Sequence, residues 1–223
     1  MNILRTTFAV ILSFTFISAQ AAKIETDKEK LSYAMGFFFG QSVTRQDMDP
    51  DTPAFMQAVE DILTGAETKM TKDEMQQILS DYRKKEQQER VAHANNNKQD
   101  GIKYLEENKK KTGVTELESG LQYKVIKSGE GEKPTSEDTV VVHYRGTLID
   151  GTEFDSSYAR DEPAEFGVTR VIRGWQEALP LMTVGSKWQI TVPSELAYGE
   201  RGGGGVIGPN ATLLFDIELI AIK

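Results

Sequence analysis

The chain has 223 residues, no cysteine, two histidines and a formal net charge of −8. That acidity argues against a nucleic-acid partner, whose phosphates would repel it, and the missing cysteines exclude disulfides, thiol catalysis and the usual zinc sites. The length accommodates two domains, and the charge is uneven: residues 114–223 hold 17 acidic and 10 basic side chains, residues 1–113 hold 17 and 16.

The chain opens MNILRTTFAVILSFTFISAQAAK, with a basic Arg5, an apolar run from Phe8 to Ile17 and an Ala19-Gln20-Ala21 cleavage site. The run is shorter than the roughly 18 residues of a spanning helix. The pattern therefore predicts a signal peptide over 1–21, removed on export, rather than an anchor. No cysteine near the cleavage site marks a lipoprotein. No other apolar run is long enough to span a membrane.

Three helical segments follow. The first, about Asp27 to Ser42, spaces Leu31, Ala34, Met35, Phe38 and Phe39 on one helical face, and Gly36 and Gly40 sit four apart. The second, about Pro53 to Thr64, has Thr52 as expected N-cap, Pro53 in its first turn and Gly65 as C-terminal cap. The third opens on the capping-box sequence Thr71-Lys72-Asp73-Glu74. After Met75, Ile78, Leu79 and Tyr82 it becomes almost wholly polar. It either continues to about Lys111 as a connecting helix of roughly 60 Å, or gives way to a linker where Asn95, Asn96, Asn97 and Gly101 weaken it. The large apolar residues of the front half exceed what three short segments bury in one copy, which predicts a homodimer.

From Gly120 the pattern turns to strands: Leu121–Ile126, Thr139–Leu148, Lys187–Val192 and Leu213–Ile222. Asp150-Gly151 reads as a hairpin turn, and Arg173 to Met182 as a short helix despite Pro180. Strands with one packing helix predict an α+β domain. This region places aromatic and aliphatic residues in order on its strands, turns and helix, with a single histidine, His143. Nucleophile–base chemistry is poorly supplied there and a dry aromatic site well supplied. Rotation about a prolyl peptide bond suits such a site. Its barrier of about 18–20 kcal/mol comes from lost amide resonance, and a catalyst can lower it by excluding water and placing donors, without moving protons.

The segments VVHYRG, DGTEFDSS, VIRGWQEAL, PSELAYG and GPNATLLFDIELI together resemble the FKBP-type peptidyl-prolyl isomerases. With its front half the chain is similar to the dimeric, exported macrophage infectivity potentiator (Mip/FkpA) branch of Gram-negative bacteria. The resemblance implies a curved antiparallel sheet wrapped on the short helix. It divides the chain into a signal peptide (1–21), a helical dimerisation domain (22–70), a long connecting helix (71–113) and an isomerase domain (114–223). It also implies roles. Trp175 would be the pocket floor, Tyr144, Phe154 and Phe215 its aromatic walls, Val171 and Ile172 its rim, with the Ile172 N–H meeting a substrate carbonyl. The Tyr198 hydroxyl would donate to the bound amide, Asp155 would stand beside the twisted bond, Arg160 would pair with it, and Ile207 would overhang the pocket. Ala164 and Gly203 depart from the small family members, which carry an aromatic and a histidine there, implying a more open wall and a freer loop.

The resemblance further implies proline-containing clients, rapamycin and tacrolimus as inhibitors, no cofactor or metal, and a periplasmic or cell-surface location. A holdase chaperone and a host-binding surface factor are the rival readings. The run RGGGGVIG lacks the Lys-Ser/Thr of a phosphate loop, and His93 and His143 stand apart from any metal-binding spacing.

Overall fold

A computed structural model describes residues 23–45 and 48–223. The expected signal peptide and its cleavage site lie outside the described residues. The chain divides into two compact units, Met1–Thr71 and Lys72–Lys223. Among the described residues, no helix is long and apolar enough to cross a membrane.

The first unit holds α1 (Asp27–Arg45) and α2 (Thr52–Thr64). Thr26 and Glu29 cap α1 reciprocally: Glu29 N–H donates to Thr26 Oγ1 (3.2 Å) and Thr26 N–H to Glu29 Oε2 (2.8 Å). The N-cap of α2 is Asp51, not Thr52; its carboxylate accepts from Ala54 N–H at 2.9 Å. A carboxylate serves better there than a hydroxyl because it also faces the positive end of the helix dipole. Gly65 closes α2 at φ 72°, a left-handed conformation that glycine adopts freely. Phe39 of α1 stacks on Phe55 of α2 at 5.6 Å. Beyond that contact most of the larger apolar residues of the two helices stay in the open. Leu31, Met35, Phe38, Ile62 and Leu63 are 63–81 % exposed, and there is open space beside Gly36 and Gly40.

The second unit starts with α3 (Lys72–Asn108), 37 residues long and unbroken through Asn95–Asn97 and Gly101. Seven strands follow: β1 (Val114–Glu116), β2 (Gln122–Lys127), β3 (Thr139–Leu148), β4 (Glu153–Ser156), β5 (Ala164–Gly167), β6 (Lys187–Val192) and β7 (Leu213–Ile222). They form one antiparallel sheet ordered β1-β2-β6-β7-β3-β4, with β5 also paired to β3. Asp150-Gly151 makes the expected hairpin, with Leu148 N–H donating to Thr152 O at 2.9 Å. Alternation decides which face is inner. Val140, Val142 and Tyr144 of β3, Ile190 and Val192 of β6, and Leu213, Phe215, Ile217 and Leu219 of β7 are buried. Against them packs α4 (Arg173–Ala178), through Trp175 and Ala178. Gly174 brings the helix close: a Cβ there would lie 2.5 Å from Val192 Cγ1.

The expected ten-residue helix from Arg173 is shorter. Six α-helical residues tighten into a 3₁₀ turn, Leu179–Leu181. Pro180 has no N–H for the bond to Gln176, so the α pattern cannot continue.

Candidate active site

The walls of the site rise from β3, β4 and β7. Gly146 of β3 faces Phe215 of β7 on one side and Asp155 of β4 on the other. A Cβ at Gly146 would stand 2.5 Å from Phe154 Cε2 and 2.9 Å from Phe215 Cε1. Its absence lets those two rings meet edge to face, 5.6 Å apart at 83°. The floor is Trp175, 3 % exposed. Tyr144, Phe166 and Phe215 surround it at 5.3–5.8 Å, each nearly perpendicular to the indole. Each such pair contributes roughly 0.5–1.5 kcal/mol beyond burial, so the floor is held rigidly. Trp175 Nε1 is buried without a hydrogen-bond partner among the described residues.

These walls line an open cavity of about 670 Å³. Nine of the ten sequence-expected residues line it: Tyr144, Phe154, Asp155, Val171, Ile172, Trp175, Tyr198, Ile207 and Phe215. The tenth, Arg160, stands behind the wall. Its Nη1 donates to Asp155 Oδ1 at 2.6 Å and its Nη2 to the Tyr144 hydroxyl at 2.9 Å. The Tyr144 hydroxyl in turn donates to Asp155 Oδ2, and the guanidinium lies 5.7 Å from the Tyr144 ring centre. Three groups from β3, β4 and the turn after β4 are thus locked together at the cavity edge.

The triangle fixes charge states. Burial pushes the Asp155 carboxyl up, but hydrogen bonds from Tyr144 and Arg160 outweigh it and hold the group below the usual carboxylate range. Burial, together with the adjacent carboxylate, pushes the Tyr144 hydroxyl up. Arg160 is pushed up by the hydrogen bonds to Asp155 and Tyr144. The site holds a carboxylate, a neutral phenol and a guanidinium, with nothing poised to exchange a proton near neutral pH.

At the rim, Ile172 caps α4, its carbonyl accepting from Trp175 N–H at 2.9 Å and Gln176 N–H at 3.1 Å. Tyr198 is 44 % exposed. The glycine run folds into a tight hairpin held by its own backbone hydrogen bonds. Gly203 N–H donates to Ile207 O at 3.0 Å and Ile207 N–H to Gly204 O at 3.1 Å. Gly203 lies against Tyr198 and Ile207 closely enough that a Cβ would reach Tyr198 Cδ2 at 3.0 Å.

Several contributors escaped the sequence reading, among them Gly204, Gly205 and Val206 of the glycine-rich loop. Phe166, two residues along β5 from Ala164, supplies an aromatic wall of its own; its period-two relation to Ala164 was the available signal. Arg170 lines the mouth. Gly146 is marked only by its place in an otherwise bulky strand. Ser157, fully buried, accepts from Tyr144 N–H at 2.8 Å and lies 3.0 Å from His143 Nδ1, fixing the backbone that carries Tyr144. His143 is accordingly a satisfied sheet residue, stacked on Tyr158 at 4.7 Å.

Comparison with known proteins agrees with this architecture. Residues 130–220 match the model of the FKBP-type peptidyl-prolyl cis-trans isomerase, and residues 28–125 match the domain amino terminal to it. The chain is 44 % identical over 216 residues to the outer membrane protein MIP of Legionella longbeachae, covering 95 % of this chain and 93 % of that one. It is 45 % identical over 207 residues to the peptidyl-prolyl cis-trans isomerase Mip of Coxiella burnetii, covering 91 % and 90 %. The crystal structure of FkpA from Escherichia coli superposes with a TM-score of 0.64 at 37 % identity, over 90 % of this chain and 99 % of that one. With both halves matched and the aromatic cavity in place, the chain belongs to the FKBP-type peptidyl-prolyl cis-trans isomerase family, in company with the Mip and FkpA proteins.

Proposed function

We propose that this chain is a peptidyl-prolyl cis–trans isomerase acting on exported proteins, with the Trp175-floored cavity as its active site. The observation that carries the reading is the Asp155–Tyr144–Arg160 triangle beside an apolar cavity of proline-ring size and more. The proline ring sits over Trp175 between Phe154, Phe215 and Tyr144. The cavity strips water from the amide carbonyl, which favours the twisted, less polar bond. The Ile172 N–H and the Tyr198 hydroxyl hold neighbouring peptide groups, and the Asp155 carboxylate supplies a fixed negative charge beside the rotating bond. Val171 and Ile207 close the apolar rim. No step needs a proton, in keeping with a site whose groups are pinned in their charge states.

The exposed apolar faces of α1 and α2 serve homodimerisation, and proline-containing unfolded chains are the clients. Rapamycin and tacrolimus occupy the same cavity. The leader-like run over residues 1–21 supports export, with the periplasm or the cell surface as the site of action. A holdase role is the second reading, favoured by Phe37, Phe38 and Phe39, each more than half exposed in the single chain.

The deciding experiment is isomerisation of a short Xaa-Pro peptide with and without rapamycin, for the wild type, Asp155→Ala and Tyr198→Phe. Rapamycin-sensitive catalysis that falls in both variants is expected. A wild type without catalysis or rapamycin binding would overturn the reading in favour of the holdase.

A further inference from the structure

The unbroken course of α3 through weak helix formers has a cause in what the helix touches. Asn97 Nδ2 donates to Pro209 O at 2.8 Å. Asn210 Nδ2 returns a bond to Ala94 O at 3.3 Å, and Asn210 holds φ 56°, a conformation asparagine tolerates better than most residues. About two turns before Asn97, Arg90 Nη2 donates to Arg201 O at 3.4 Å. Gly101, buried, passes so near Thr212 that a Cβ would meet its Oγ1 at 2.3 Å. All these partners flank one loop. Asn210 N–H closes the loop's neck on Gly199 O at 2.8 Å, and its tip, Gly203–Ile207, lines the candidate active site.

We infer that α3 is a brace for this active-site loop, and that Asn97 and Asn210 are positioning residues for substrate binding. The loop carries a run of four glycines, Gly202–Gly205, whose backbone entropy resists a fixed conformation. Two internal hydrogen bonds hold the tip, while α3 holds both of its ends. Fixing the ends reduces the conformations the glycines sample and keeps Ile207 over the cavity. Of the residues that looked like helix breakers, Asn97 is polar because it meets a backbone carbonyl and Gly101 lacks a side chain because Thr212 passes close. The inference rests on the isomerase reading for its kinetic consequence and on geometry alone for the loop.

The test uses the full chain carrying Asn97→Ala, Asn210→Ala or Asn108→Ala. Asn108 anchors the same helix to Gln122 Oε1 (2.9 Å) and Thr191 Oγ1 (3.3 Å), roughly 16 Å further along and away from the loop. Amide hydrogen exchange at Gly203 and Ile207 should quicken about fivefold or more in the first two variants, with Ile217 and Leu219 unchanged. KM for an Xaa-Pro peptide should rise several-fold with kcat held, whereas Asn108→Ala should leave both at wild-type values. Unchanged exchange at Gly203 and Ile207 in Asn97→Ala and Asn210→Ala would overturn the brace. So would an equal KM rise in Asn108→Ala, because docking in general would then be the cause. A wild type without isomerase activity would defeat the isomerase reading, and the exchange data would still decide the brace.

Discussion

Gly146 and Phe154 are in such close apposition that a single methyl on the glycine would stand 2.5 Å from the phenylalanine ring. The cavity wall on that side is shaped by a missing side chain. Gly146→Ala should push Phe154 and Phe215 apart and narrow the cavity. The overpacking should cost about 1–3 kcal/mol, measured by urea unfolding, and catalytic efficiency should fall about tenfold or more because the walls no longer fit the proline ring. Wild-type efficiency in this variant would show that the wall positions are not critical.

Asp155 sets a pH expectation. Its folded-state value lies below that of the unfolded chain, so the stability it contributes is fully present above the ordinary aspartate value of about 3.9 and is lost as pH falls through the lower folded value. Catalysis should therefore be flat from about pH 5 to 8, the range free of unperturbed carboxylate titration. The stability gap between wild type and Asp155→Asn should close only in more acid solution. A catalytic inflection near neutrality would contradict the pinned charge state.

Gly101→Ala opposes two effects of known sign. Alanine improves helix propensity by about 0.8–1 kcal/mol, but its Cβ would meet Thr212 Oγ1 at 2.3 Å and Cβ at 3.3 Å. The collision should win, giving a net loss of stability of about 1–3 kcal/mol. Adding Thr212→Ala should restore part of it. A double-mutant cycle by thermal or urea unfolding reads the coupling, and additive effects would argue against the contact.

The apolar faces of α1 and α2 make an oligomer prediction. Phe38, 66 % exposed, and Leu63, 81 % exposed, should be covered in a homodimer. Sedimentation should give twice the chain mass for the wild type and a monomer for Phe38→Glu with Leu63→Glu. The double variant should keep its catalytic efficiency on a tetrapeptide, because the cavity is built wholly within Lys72–Lys223. It should lose efficiency on an unfolded protein client, where two tethered sites raise effective concentration.

The roles of the pocket aromatics were legible through the family resemblance, whereas the local sequence alone was enough to place α1, α2, the start of α3, the Asp150-Gly151 hairpin and the long strands. Each depends on periodicity, caps or turn residues a few positions apart, as with Gly65 after α2 or the alternating inward residues of β3 and β7. What only the tertiary structure decided depends on partners far along the chain. The short strands β4 and β5 exist because β3 offers them an edge, and Phe166 becomes a wall because that pairing turns it toward Trp175. The choice between helix and linker at Asn95–Gly101 was settled the same way. Low propensity there is offset by hydrogen bonds to Pro209 and Asn210 and by the close pass at Thr212, contacts spanning more than a hundred residues that no local pattern encodes.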